Sequence, residues 1–173
     1  MTTRGFGVET PREMLNRATY EVEELDRSVN EYFMSEDEGK NKVGSLAGTC
    51  AATLWNLVDW LANTNDPATK AALGAAGLTN FEIIRNHVKA RSGALTLCWE
   101  VTNGYKHCEL RGFTRNASQI NHADVSAASD PRHALAYRFV PKIRTNAGDN
   151  LSAVQAYKDA LSFWNNFFNR LGI

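Results

Sequence analysis

The feature that most constrains this chain is a hydrophobic stripe near its C-terminal end, where Val154, Tyr157, Leu161, Trp164, Phe168 and Leu171 follow one another at steps of three and four residues. That spacing puts all six side chains on one side of an α-helix. Gly172, directly after the stripe, is the residue type that most readily takes the left-handed conformation ending a helix. Leu15, Ala18, Val22, Leu25, Val29 and Tyr32 repeat the pattern near the other end. They predict a helix that starts at Thr10-Pro11, an N-cap followed by proline at the first helical position, and runs to about Phe33. Its opposite side carries Glu21, Glu23, Glu24, Asp26 and Glu31 and is expected to be solvated. Two helices with one apolar face each must bury those faces against other elements.

The partners lie between them. Val43, Leu46, Cys50, Leu54, Leu57 and Leu61 form a second helical stripe, which Trp55, Val58 and Trp60 widen beyond one face, as in a central helix. The polar stretch Ser35 to Lys42, containing Gly39, reads as a loop. Asn63 to Asp66 breaks the second helix, and Asp66-Pro67 caps a short Ala-rich helix that Gly74 and Gly77 weaken and end. Thr79 and Glu82 have capping-box spacing ahead of a helix from Asn80 to about Ala90. Ser92-Gly93 opens a further helical stretch to about Leu110, with Gly104 inside it. Gly112 to His133 shows no sustained period. Ala134 to Thr145, with Tyr137, Phe139 and Ile143, reads as a short strand pair or extended arm, in which Pro141 confines any strand to an edge. The expected fold is mainly α: an antiparallel four- or five-helix bundle, with a short extended excursion before the C-terminal helix, forming one domain over residues 1–173.

Composition narrows the class. A chain of 173 residues with 43% hydrophobic content can close one core without metal or disulfides. Cys50, Cys98 and Cys108 make an odd set with no pairing pattern, and Met-Thr-Thr-Arg-Gly lacks the apolar stretch of a secretory signal, so a reducing cytoplasmic setting is expected. No apolar run approaches the roughly 18 residues of a membrane span, and no membrane partner is expected. Formal charge cancels at 19 basic against 19 acidic groups, but unevenly. Residues 1–38 carry a net −6 and residues 85–144 a net +6. Either the acidic helix neutralises the basic region, or a basic face is kept for an acidic partner.

Metal chemistry finds little support in the pattern. His87, His107, His122 and His133 are too far apart to share a helix face, no Glu-x-x-His occurs, and adjacent His107 and Cys108 cannot converge on one ion. Gly74-Ala-Ala-Gly77 lacks the Lys-Ser or Lys-Thr of a phosphate loop. Neither a metal nor a cofactor is expected. The most distinctive segment is Trp99 to Arg111, in which Asn103, Lys106 and His107 fall three and four residues apart and would line one helix face. Such a face suits an anion: Lys106 offers a point charge, His107 can exchange a proton near neutral pH, and Asn103 can orient a ligand. The same residues also suit a structural role, since Lys and His near a helix C-terminus interact favourably with its dipole.

At Asn103, Lys106 and His107 the sequence resembles uncharacterised bacterial helical proteins with an Asn-x-x-Lys-His element late in a central helix, then a short extended segment and a Trp- and Phe-rich terminal helix. Those proteins are HEPN-like, similar to a nucleotide-binding helical domain shared by many prokaryotic toxin and defence systems. The resemblance covers roughly residues 43–171 by order of features. It implies an RNA-associated interaction module with a protein partner in a bacterial or phage stress or defence system, binding through Asn103, Lys106, His107 and Arg111. HEPN ribonucleases use Arg, a polar residue and then His, and Arg115, Asn116 and His122 match that order with six residues between Arg and His. The alternative implied is a metal-independent endoribonuclease. In it His122 or His107 removes the 2′-hydroxyl proton, Arg115 or Arg111 holds the phosphate, and Asn116 or Asn103 orients the imidazole. A small-molecule or nucleotide-binding bundle is a third reading. Phe163, Trp164, Phe167 and Phe168 offer more aromatic surface than one helix face buries, so they either widen the core or form the contact of a homodimer.

Overall fold

The computed structural model describes residues 9–33, 35–106, 117–128, 136–145 and 149–173, with backbone alone at 104–106, 117–128 and 136–137. Among these the order is α1 (Pro11–Ser28), α2 (Glu36–Ala62), α3 (Pro67–Ala75), α4 (Phe81–Arg91), α5 (Gly93–Lys106), β1 (Ala117–Ala128), β2 (Ala136–Thr145), β3 (Asn150–Ser152) and α6 (Ala153–Leu171). The fold is mainly helical, with a short extended excursion ahead of the final helix as expected, here an antiparallel hairpin, but the described residues hold six helices rather than four or five.

Local chemistry explains where the helices begin. At α1, Thr10 Oγ1 accepts from the Glu13 N–H at 3.1 Å while Glu13 Oε2 accepts from the Thr10 N–H at 2.9 Å, a reciprocal capping box with Pro11 at the first helical position. Ser35, Asp66, Asn80, Ser92 and Ser152 do the same for the later helices, each with a side-chain oxygen accepting the N–H three residues on. Two expectations are corrected here. Ser35 to Lys42 is not a loop but the capped first turns of α2, where Glu36, Asp37 and Glu38 sit at the positive end of the helix dipole. At α4 the cap is Asn80, whose Oδ1 lies 3.0 Å from the Ile83 nitrogen, rather than Thr79.

The two terminal stripes face inward. Leu15, Ala18, Val22, Leu25 and Val29 are buried, as are Val154, Tyr157, Leu161, Trp164 and Phe168. α1 ends at Ser28 instead of Phe33, which leaves Tyr32 outside the stripe and 58% exposed. Glu21 is not on the solvated side either: it is only 8% exposed, with Oε1 2.8 Å from Arg17 Nε. α1 and α6 run antiparallel, because Arg12 at the start of α1 donates to the Ile173 carbonyl while Asp26 near its end pairs with Lys158 at 2.8 Å. α2 is central, burying residues around most of its circumference, from Val43, Ala47 and Cys50 to Trp55, Leu57 and Leu61. The Trp164 indole N–H donates to the Leu54 carbonyl at 2.9 Å, tying α6 to α2 inside the core. The terminal aromatics therefore widen the core: Trp164, Phe167 and Phe168 are buried and Phe163 is half-buried.

The sheet order is β1-β2-β3, all antiparallel. The stretch Gly112 to His133, expected to be irregular, contains β1, and of the two readings for Ala134 to Thr145, a strand pair or an extended arm, the second holds, Ala136–Thr145 being a single strand. Pro141 lies in the middle strand, not at an edge, opposite His122 of β1. β3 reaches only as far as Lys142↔Ser152, so β2 has no β3 partner at Pro141, and a residue lacking an N–H is accommodated there. Phe139 and Ile143 turn from β2 into the core, and Gly39 of α2 lies against Phe139: a Cβ at Gly39 would come within 2.2 Å of Phe139 Cε2 and 2.8 Å of Phe33 Cδ2. Arg138 fixes the hairpin to the end of α1, donating from Nε to the Val29 carbonyl at 2.7 Å and from a terminal nitrogen to Asn30 Oδ1 at 2.6 Å.

Candidate functional site

The structure places part of the segment singled out by sequence. Asn103 is half-buried on α5, and Lys106 is the last described residue of that helix. His107, Arg111, Arg115 and Asn116 lie outside the described residues. His122 sits in β1, paired with Pro141 of β2 just before a register shift, rather than in the irregular chain expected. Next to Asn103, Glu100 is buried and Thr102 donates to the Cys98 carbonyl at 2.7 Å. Lys89 of α4 lies over the Trp99 ring at 3.5 Å, and burial together with Arg85 holds its pKa below the ordinary lysine value, against the pull of Glu100.

A constellation not anticipated from sequence lies between α4 and α6. His87, Arg91, Phe163, Asn166, Phe167 and Arg170 line a cavity of about 220 Å³. Each helix supplies pairs one turn apart: His87 with Arg91 on α4, Phe163 with Phe167 and Asn166 with Arg170 on α6. α4 can present His87 and Arg91 because Ile84 and Val88 anchor its other side in the core. The floor is aromatic. Phe163 and Phe167 stack at 6.0 Å between centroids with 17° between planes, and His87 meets the Phe167 ring at 5.8 Å, edge on. Phe167 in turn contacts buried Trp164 at 5.6 Å, so the floor is continuous with the core.

Its electrostatics favour an anion. Among the described residues no carboxylate lines the cavity. Burial, and then the neighbouring Arg91 charge, push the His87 pKa below its ordinary value, so near neutral pH the positive charge comes from the two guanidinium groups. Both arginines lie in the last turn of their helices, where they also complement the dipole. Two helix C-termini contribute roughly −0.5 each, less than the two full positive charges. The negative end of α4 is further offset by the start of α5 two residues later.

A second cavity, of about 260 Å³, is lined by Thr10, Arg12, Asp66, Thr69, Phe168 and Ile173 among others, but its polar groups are already engaged. Asp66 Oδ2 accepts from the Thr69 N–H and hydroxyl at 2.7 and 2.6 Å, and Arg12 lies 5.0 Å from the Phe168 ring centre while donating to Ile173. This cavity is a by-product of two caps and the α1–α6 junction.

The charge asymmetry resolves in a specific way. Glu21, Glu24, Asp26, Glu31 and Glu36 of the acidic segment pair with Arg17, Arg27, Lys158, Lys42 and Lys40, all from outside residues 85–144. Arg138 reaches α1 from the basic segment, and its contacts there are a carbonyl and an amide. Cys50 and Cys98 are buried: desolvation, with the nearby Glu21 charge, raises the Cys50 thiol to about 12, and desolvation raises Cys98 as well, with Cys50 adding to it.

Among the described residues no three His, Cys, Asp or Glu side chains form a group able to hold a metal ion, and no helix is long and apolar enough to cross a membrane. Comparison with protein-family models, with curated proteins and with solved structures finds no match to this chain.

Proposed function

We propose that this protein is a helical interaction module that associates with RNA, contacting phosphate through the groove between α4 and α6. The observation that carries the reading is the lining of that groove: two guanidinium groups and an imidazole over stacked phenylalanines, with no carboxylate among the described residues that line it. Arginine binds phosphate oxygens in a bidentate fork, and an aromatic ring beside it offers a stacking surface that every base can use. The ion pairs of Glu21, Glu31 and Asp26 in the acidic segment support it, because their cations, Arg17, Lys42 and Lys158, come from outside the basic segment. Asn103 and Lys106, at the far end of α5, and Arg111 beyond them belong to that same basic segment.

Fluorescence anisotropy with a mixed-sequence single-stranded RNA at low salt tests the reading. The expected result is binding that weakens as salt rises, with a slope of about −0.7 per phosphate contacted. Arg91→Glu with Arg170→Glu should keep the fold, since both side chains are exposed, and should weaken binding at least tenfold. Absence of RNA binding at low salt, or binding indifferent to both charge reversals, would overturn it.

A further inference from the structure

Lys40, Lys42 and Lys158 each hold a carboxylate, that of Glu36, Glu31 and Asp26. Lys89 does not. Its Nζ lies 3.5 Å from the centre of the Trp99 ring, and among the described residues no carboxylate pairs with it. Trp99 is itself held in place, packing at 6.2 Å between ring centres against Trp55, which is buried on α2. Arg85 sits one turn before Lys89 on α4, so the two side chains are neighbours on one helix face. A terminal nitrogen of Arg85 pairs with Glu82 at 2.5 Å, yet its Nε is buried with no acceptor. Desolvation and an adjacent cation are the two conditions that turn a lysine into a nucleophile, and Lys89 meets both. We infer that Lys89 and Arg85 form a modification site, at which Lys89 accepts the acyl group of an acyl phosphate while Arg85 receives the phosphate. Neither residue lines the α4–α6 groove, so this site is independent of RNA association there.

The chemistry balances without a further reagent. Arg85 binds phosphate oxygens through its N–H groups, the unmatched Nε included, and so brings the neighbouring acyl carbon within reach of Lys89. The lone pair of Nζ attacks that carbon, a C–N bond forms, and the C–O bond to phosphate breaks. The proton lost from the amine leaves with the phosphate as hydrogen phosphate. Only the free amine can attack, and at pH 8 an ordinary lysine is about 0.4% free. Burial, then the Arg85 charge, enlarge that fraction at Lys89, while Glu100 on α5 and the face of Trp99 act against them by favouring the ammonium. Trp99 contributes placement instead, holding Nζ over a fixed ring. The amide product is uncharged, so acylation also ends the repulsion between two cations one turn apart.

The full chain is treated at pH 8 with acetyl phosphate or, in parallel, with the uncharged p-nitrophenyl acetate, and the initial rate of acetylation at each lysine is read by quantitative mass spectrometry. Lys70, exposed and without an ion pair among the described residues, is the internal reference. With acetyl phosphate, Lys89 should react at least threefold faster than Lys70 and at least tenfold faster than Lys42 or Lys158. Arg85→Gln should lower Lys89 labelling by acetyl phosphate at least threefold more than labelling by the neutral ester, because the ester has no phosphate for Arg85 to hold. Glu82→Gln, at an exposed position, frees the guanidinium from its ion pair and should raise Lys89 labelling by acetyl phosphate relative to the ester, which keeps the test decisive if Arg85→Gln fails to fold. Lys89 reacting no faster than Lys70 overturns the inference. So does a ratio between the two reagents that neither variant moves, since the lysine would then be no more than locally exposed, with no phosphate held beside it.

Discussion

Replacing Gly39 by alanine sets two effects of opposite sign against each other. In α2, alanine gains up to about 1 kcal/mol of helix propensity over glycine, and in open space that gain would be observed. Gly39 is not in open space. It is buried, and the added methyl group would lie 2.2 Å from Cε2 of Phe139, itself 1% exposed, and 2.8 Å from Phe33 Cδ2. Those two rings contact each other at 6.1 Å between centroids, so neither can retreat without disturbing the other. Overpacking a filled site typically costs about 1 to 3 kcal/mol, and a Cβ 2.2 Å from Phe139 Cε2 belongs to the upper part of that range, about 2 to 3 kcal/mol, so the net is a loss of about 1 to 2 kcal/mol. For a chain of this size that lowers the melting temperature by about 2 to 8 °C. Gly74→Ala in α3 is the control, since a Cβ there meets nothing within 4 Å, and it should raise the melting temperature. Both are read by thermal unfolding monitored by circular dichroism. If Gly39→Ala stabilises the protein as Gly74→Ala does, the hairpin does not pack on α2 through Phe139.

Arg138→Ala removes two short, charge-assisted hydrogen bonds between β2 and the end of α1, each worth about 1.5 to 3 kcal/mol, and hydrogen exchange should accelerate in the hairpin more than in α2 or α6. Cys50 and Cys98, buried and with raised thiol pKa values, should resist a thiol reagent at about pH 8 and react together once the chain is unfolded; rapid native labelling mapped to either by mass spectrometry would contradict their placement. His87 has a folded-state pKa below its unfolded value, so the unfolded chain binds the extra proton more readily. Its contribution to stability is complete above the ordinary histidine range and declines as pH falls through it. His87→Gln should therefore flatten the stability profile between about pH 7 and 5, as measured by urea unfolding.

The helices were legible where a periodic stripe coincided with a cap. Thr10-Pro11 and the run from Val154 to Gly172 each carried both, and α1's start and the whole of α6 follow them closely. The start of α2 was hidden because its first turn, Glu36, Asp37 and Glu38 followed by Gly39, has the composition of a loop. Those acids are placed by the helix dipole, and the glycine by Phe139, which lies 100 positions further along. β1 was hidden for a different reason: Ile120 and Val125 are its β-branched members, and alanines, serines and polar residues fill most of the rest, so its pairing with β2 decides its conformation. The groove left no mark in sequence. His87 with Arg91, and Asn166 with Arg170, read separately as ordinary polar helix flanks; tertiary packing brings two segments some 75 residues apart to one cavity.

The antiparallel seating of α6 against α1, with the Trp164 indole bound to Leu54, has a consequence for vectorial synthesis. The first helices to leave a ribosome expose apolar faces whose covering residues, Tyr157, Trp164 and Phe168, are translated more than 100 positions later. A nascent chain released as far as β3 would therefore display an open hydrophobic trough along α1 and α2 and be prone to capture by chaperones. Ribosome-bound chains stalled at successive lengths should become protease-resistant only when α6 has cleared the exit tunnel.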